Sequence, residues 1–374
     1  MGYGLFVPEF RAAFSMSSSE VGAIASLGFI GFFLALLTAE ALLVRRGPEA
    51  PVLLGLIAAT AGMAAVALAG NLPVLALGVF LTSSSAGFAW TPFNDAVHRR
   101  IWDEDRPTAL SKISTGTGVG VMAAGIAAFG MATWGVSWRV CWMFFACASG
   151  AALLGNWWAL RDVEKDPDGL PPQAWHHLRH RAVVPLLVIG FAYGTTSAVY
   201  ISFVADPVRD AGGAFGIPAA AMPPVVFIAY GLCGLFGLLT GRVRAAVGLA
   251  WLLRLMMAAA AVSAVLLAMA PGHWGAIVVS AGLQGLHVMM VSAVLAFWSE
   301  RLFPTLPSLS FTAALLAMAA GSVIGPALAG VVADAFGVQA LFLGLAVLPA
   351  SIAVLLRDRH AQECPARSHT GERL

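Results

Sequence analysis

The sequence predicts an all-α membrane protein, on three observations. Apolar residues occupy 59% of 374 positions and charged residues only 11%, where a soluble domain carries about 45–50% and roughly a quarter. The apolar residues fall into long runs, and a hydrocarbon core about 30 Å thick needs roughly 17–25 of them per helix. No run shows the alternating polarity, about ten residues long, that a barrel strand requires.

Eleven runs follow along the chain, at about 19–44, 52–70, 74–96, 111–133, 139–160, 182–205, 223–241, 248–270, 275–299, 310–333 and 340–356. Each is bounded by turn chemistry or charge. Asn71-Leu72-Pro73, Trp134 to Ser137 and Pro271-Gly272-His273 are short hairpin connections, while Arg45 to Pro48 and His98 to Arg106 are polar ones. Ahead of the first run, Gly2 to Pro8 has the character of the last turns of a membrane helix, and Glu9 to Ser19 that of the connection after it. The expectation is therefore eleven complete helices plus a fragment of a preceding one, the chain starting inside that helix. No cleavable signal peptide is expected, because no basic segment leads into an apolar core and a small-residue site.

Basic residues set the orientation. Eighteen of the twenty-one Lys and Arg lie in one alternating set of loops and span ends, and only Arg11, Arg139 and Arg209 lie in the other. The positive-inside rule makes the first set cytoplasmic, with a cytoplasmic C-terminus. The expected location is a bacterial-type inner membrane. With the leading fragment counted, the longest polar stretch, Arg161 to Arg181, divides the helices six and six. The domain reading is thus 1–160, a linker 161–181, a second half 182–356 and a tail 357–374. Two equal helical halves point to an internal duplication of the kind found in secondary transporters.

Several function classes are not expected. A net charge of +2 gives no nucleic-acid footprint. Cys141, Cys147, Cys233 and Cys364 have no metal-ligand spacing. His176 and His180 are four apart, but in a polar stretch better explained as solvated. No nucleophile–base pair or phosphate-cradling loop stands out, so neither an enzyme nor a cofactor is expected. The expected partners are lipid and a small-molecule substrate, with the chain a monomer.

The segment from Gly321 to Gly330, with Gly325-Pro326 at its centre, resembles the glycine–proline helix of the major facilitator superfamily. Small residues four apart let helices approach closely, and proline bends them. The resemblance covers the whole chain and implies two six-helix halves around a central cavity. The family's signature cytoplasmic loop is represented only partly, by Arg45-Arg46-Gly47-Pro48. Val44 stands where an acidic residue is expected, and Glu49-Ala50 where a basic pair is. Glu40, one turn upstream, is the available partner for an arginine, and Asp95 is a second gate candidate at a span end.

The resemblance implies that the first, fourth, seventh and tenth helices line the cavity, and unusual polar and aromatic residues gather on those segments. Tyr193, Thr196 (or Ser197) and Tyr200 share one helical face. Gln284 and His287 lie one turn apart in a nearly apolar span. Ser83, Trp90 and Asn94 form a stripe, and Tyr3 belongs to the fragment. Polar groups at membrane depth face a bundle interior or a cavity, although Ser and Thr there also bond their own backbone. His287 is the residue that would couple transport to protons. With Lys112 and Arg139 at span ends and only Arg254 deeper within a span, a neutral, amphipathic solute is favoured over an anionic one. The reading is secondary active transport by alternating access, with a transport-inactive scaffold or sensor as the alternative.

Overall fold

The structure, a computed structural model, describes residues 2–102, 106–160, 183–302 and 307–361. Among them the secondary structure is helical, apart from one isolated bridge between Ala214 and Ile217. The elements are α1 (Gly2–Leu5), α2 (Val7–Phe14), α3 (Ser18–Arg46), α4 (Glu49–Ala67), α5 (Leu72–Arg100), α6 (Arg106–Thr133) and α7 (Trp138–Leu160). There follow α8 (Val183–Phe203), α9 (Ala205–Asp210), α10 (Met222–Gly234), α11 (Thr240–Val247), α12 (Leu249–Met269), α13 (Trp274–Leu302) and α14 (Pro307–Leu355). A helix satisfies every backbone group within its own segment, which is why apolar chains adopt it in lipid.

Ten helices among the described residues are long and apolar enough to cross a membrane, and the last of these runs 46 residues from Ser310 to Leu355. It bends at Gly337, whose φ of 84° lies in the left-handed region. Glycine enters that region without the Cβ penalty. The bend divides α14 into two limbs, so the expected eleven spans are present. The linker, the tail beyond residue 361, Cys364 and the His176/His180 pair lie outside the described residues.

Besides end shifts of a few residues, such as α5 continuing to Arg100 and α6 starting at Arg106, three elements differ from the sequence reading. Glu9 to Phe14 is helical rather than part of a connection. Its aromatics anchor it: Phe10 and Phe14 pack on Trp138 with ring centroids 5.1 and 6.3 Å away. Leu72-Pro73 opens α5 rather than belonging to the turn, because the Asn71 side chain accepts the Val74 N–H at 3.0 Å and so caps the helix. The expected helix 223–241 is interrupted. It passes through a 3₁₀ stretch, Leu235–Leu239, before resuming as α11. There Gly234 and Gly237 lie tight against Met289 of α13.

Helix starts and packing follow from side chains. At the N-terminus of α3 the Ser17 hydroxyl accepts the Glu20 N–H, and the Glu20 carboxylate accepts the Ser17 N–H at 2.8 Å. In the first half α5 packs on α3 and α4, and α4 on α7. In the second half α14 packs on α8 and α12, and α13 on α10 and α12. Two seams join the halves, α3 with α14 and α6 with α10. Both need glycine. A Cβ on Gly22 would strike the Pro326 carbonyl, and one on Gly231 would stand 2.7 Å from the Gly118 carbonyl.

Candidate functional site

Between the halves lies a cavity of about 510 Å³, within the roughly 300–1,000 Å³ range of small-molecule sites. Its walls are mainly apolar and include the aromatic side chains of Phe29 and Phe32 from α3, Trp90 and Phe93 from α5, and Trp142 from α7. Hydroxyls interrupt them at Thr82, Ser83, Thr117, Ser197, Ser202 and Ser322. None of the described lining residues carries a charged side chain.

Of the residues singled out in the sequence, Tyr3, Ser83, Trp90, Tyr193 and Ser197 line this cavity. The Tyr3 hydroxyl donates to the Val21 carbonyl at 3.0 Å, tying α1 to α3. Asn94 and Asp95 fall in a stretch whose side chains lie outside the described residues.

Thr196, Tyr200, Gln284 and His287 are brought together, but behind the wall. They are 2%, 1%, 1% and 0% exposed, and none is a lining residue. His287 Nδ1 is 2.9 Å from the Met256 carbonyl. A carbonyl only accepts, so Nδ1 carries a proton. Nε2 lies 3.5 Å from the Thr196 hydroxyl, which donates to the Ala192 carbonyl at 2.8 Å. The Tyr193 ring packs 5.8 Å from the imidazole and separates it from the cavity side. Tyr200 meets Ser280 at 3.2 Å, and Ser280 pairs with Ser263. The Gln284 amide nitrogen and the Tyr230 hydroxyl have no hydrogen-bond partner among the described residues. Helix α13 thus presents Val288 to the cavity and turns His287 toward α8 and α12.

The lining contains residues the sequence did not single out. Phe29 and Phe32 lie in an apolar run where nothing separates a cavity face from a lipid face. Trp142 reads as one of several tryptophans near a span end, where belt residues are common.

One end of the cavity is closed by contacts between the halves. Arg11 Nε of α2 lies 2.7 Å from Asp206 of α9, a close charge pair whose N–H is not aligned on the carboxylate. The same guanidinium donates to the Met16 carbonyl at 3.0 Å and the Ser18 hydroxyl at 2.8 Å. Arg209 lies 3.6 Å from Glu9. Asp334, at the end of the first limb of α14, accepts from the Ser18 and Ser19 N–H groups at 2.9 and 2.8 Å and from the Ser19 hydroxyl at 2.5 Å. A carboxylate at a helix N-terminus satisfies free N–H groups and the helix dipole together. The lining does not include these residues. It runs instead along α5 from Val79 to Phe93, toward the end bearing Arg45 and Arg46. There Arg45 and Arg46 are exposed and Glu40 is half-buried.

The glycine–proline segment makes the close contacts of α14. A Cβ on Gly321 would meet the Phe191 carbonyl, and one on Gly325 would stand 3.1 Å from both Thr195 and Val199 of α8. Gly330 faces the Ser18 carbonyl, and the Pro326 carbonyl faces Gly22 of α3.

The sequence profile described as Major Facilitator Superfamily matches residues 1–243. No curated protein matches at a significant level. Among solved structures, the chain is similar to the nucleoside transporter NupG, with a TM-score of 0.71, 12% identity and 94% of each chain covered. It is also similar to a POT family transporter in complex with thioalcohol conjugated peptide, with a TM-score of 0.76, 11% identity, and 94% of this chain and 91% of that one covered.

Proposed function

Since the chain belongs to the Major Facilitator Superfamily, a family of membrane transporters rather than enzymes, we propose that it moves a small organic solute across a bilayer by alternating access between its two halves. The observation that carries this is the cavity itself. It lies between the halves, is closed at one end by bonds that cross from one half to the other, and extends toward the opposite end. A site held between two rigid bundles is exposed to each side in turn when the bundles rock.

In this reading the end carrying most arginines is cytoplasmic, as charge bias dictates. The structure then corresponds to an inward-facing state, with the C-terminus in the cytoplasm of a bacterial-type cell. Residues 1–160 and 182–356 are the rocking bodies. Proton coupling enters only through groups outside the described lining, with His287 the first to test.

The experiment uses spin labels at Ala13 and Phe336, exposed positions on the two halves near the closed end, with the four native cysteines replaced by alanine. In lipid nanodiscs, alternating access gives two distance populations, one matching the closed arrangement and one longer. A single distance across conditions that vary pH and ionic strength would sink the proposal.

A further inference from the structure

The closed end carries an uneven set of charges. Where α2 of one half meets α9 of the other, the carboxylates of Glu9, Asp206 and Asp210 stand with only two guanidiniums, Arg11 and Arg209. Arg11 is committed to Asp206 at 2.7 Å and is fixed there by its bonds to the Met16 carbonyl and the Ser18 hydroxyl. Asp210 is exposed, so water serves it. Glu9 is left with Arg209, 3.6 Å away, which is beyond hydrogen-bond length. That guanidinium is 38% exposed and also faces Asp206. Among the described residues, the other elements around α2 bring Glu9 no further cation. Arg139 of α7 lies over Trp138 and donates to the Ala69 carbonyl at 2.9 Å. Tyr3 of α1 donates to the Val21 carbonyl. Glu20 of α3 and Asp334 of α14 already accept backbone N–H groups of Ser17, Ser18 and Ser19.

Two effects compete at Glu9, and burial wins. An ion pair this long and this wet contributes little, whereas taking a carboxylate out of water is costly, and the Glu9 side chain keeps only 28% of its exposure. Burial accordingly pushes the Glu9 carboxyl above the usual carboxylate range. Its own backbone N–H and Arg209 offset this only in part, and Asp206 adds to it. When the halves part at this end, α2 leaves α9 and Glu9 regains its water. Its affinity for a proton is then higher in the closed arrangement than in the open one. Coupling of this kind is reciprocal, so a bound proton favours closure. Closure gains as pH falls through the raised pKa and loses that gain as pH rises again. Arg209 is not stranded by the protonation, because Asp206 still faces it. Resting on the transport reading above, we propose that Glu9 is a proton-binding site whose occupation holds this end shut and leaves the cavity open toward the opposite end.

The test follows the Ala13–Phe336 spin-label distances in nanodiscs from pH 4.5 to pH 8 at constant ionic strength. In the otherwise wild-type protein the ratio of longer to shorter distances should rise several-fold as pH rises. Glu9→Gln keeps the shape and removes the titration, so its ratio should stay at the acid-side value at every pH. Arg209→Gln removes the cation that opposes protonation, and the midpoint of the pH profile should move to higher pH. A ratio that does not change with pH, or one that falls as pH rises, would overturn the proposal. So would a wild-type pH response in E9Q, or an unmoved midpoint in R209Q. The direction of the wild-type profile and the R209Q midpoint decide even if E9Q fails to fold. A single distance at every pH removes the transport reading itself. Two populations whose ratio ignores pH remove only the proton site.

Discussion

At the scale of single residues, His287 best shows what a sequence can and cannot say. An imidazole in an apolar span is visible at once, and so is the amide one turn before it. Which way they face is not, because a helix can turn a polar residue toward a cavity or toward a neighbour with the same periodicity. Here Nδ1–H is bonded to the Met256 carbonyl and the ring lies behind Tyr193. That arrangement predicts a packing role. His287→Ala should destabilise the protein by about 2–4 kcal/mol, combining a buried cavity with a lost hydrogen bond. It should leave the pH dependence of the spin-label populations unchanged between pH 5.5 and 8. Thermal unfolding in detergent and the label distances at several pH values check both halves of this expectation. A pH response present in wild type and absent in a folded H287A protein would restore the proton-coupling role. Trp142 is the converse case. Its indole N–H finds no acceptor among the described residues, and satisfaction is a property of neighbours that no single chain segment displays.

At the scale of elements, most of the fold is legible because lipid leaves so few options. Run length and turn chemistry locate the spans. Errors occur where side-chain anchoring overrides the local pattern, as at Glu9–Phe14 and Asn71, or where a helix loosens into 3₁₀ at Leu235–Leu239. Helix crossings are legible as glycines, but not which glycines matter. Gly194 and Gly321 lie where α8 and α14 meet backbone to backbone, and a Cβ on either would strike a carbonyl, Met318 and Phe191 respectively. Gly120 of α6, in a run of glycines that looks equally regular, has nothing within 4 Å. Overpacking costs typically about 1–3 kcal/mol, whereas alanine is the better helix former by up to about 1 kcal/mol. G194A and G321A should therefore lower the melting temperature, and G120A should leave it unchanged or raise it slightly. Equal effects at all three positions would mean that the α8–α14 crossing is not held by close backbone approach.

At the scale of the whole molecule, the conformational equilibrium is set by what each end gains when it closes. The closed end is held by the α3–α14 seam, by Asp334 capping α3 and by the Arg11–Asp206 pair. Charge bias in the sequence predicts which end faces the cytoplasm, but these links join residues more than 190 positions apart and become visible only once the halves are docked. The Arg11–Asp206 side chains are 26% and 18% exposed, between a surface pair worth about 0–1 kcal/mol and a buried pair whose desolvation offsets its attraction. Taking about 1 kcal/mol, Asp206→Asn should raise the ratio of longer to shorter Ala13–Phe336 distances about fivefold, since a two-state equilibrium moves only by the differential stability of its states. Salt should produce a smaller shift in the same direction in wild type by screening the pair, and none of that component in D206N. Should D206N instead sharpen the short distance, the pair would be opposing closure, its desolvation cost exceeding its attraction, and the closed end would be held by the Asp334 cap and the glycine seam alone.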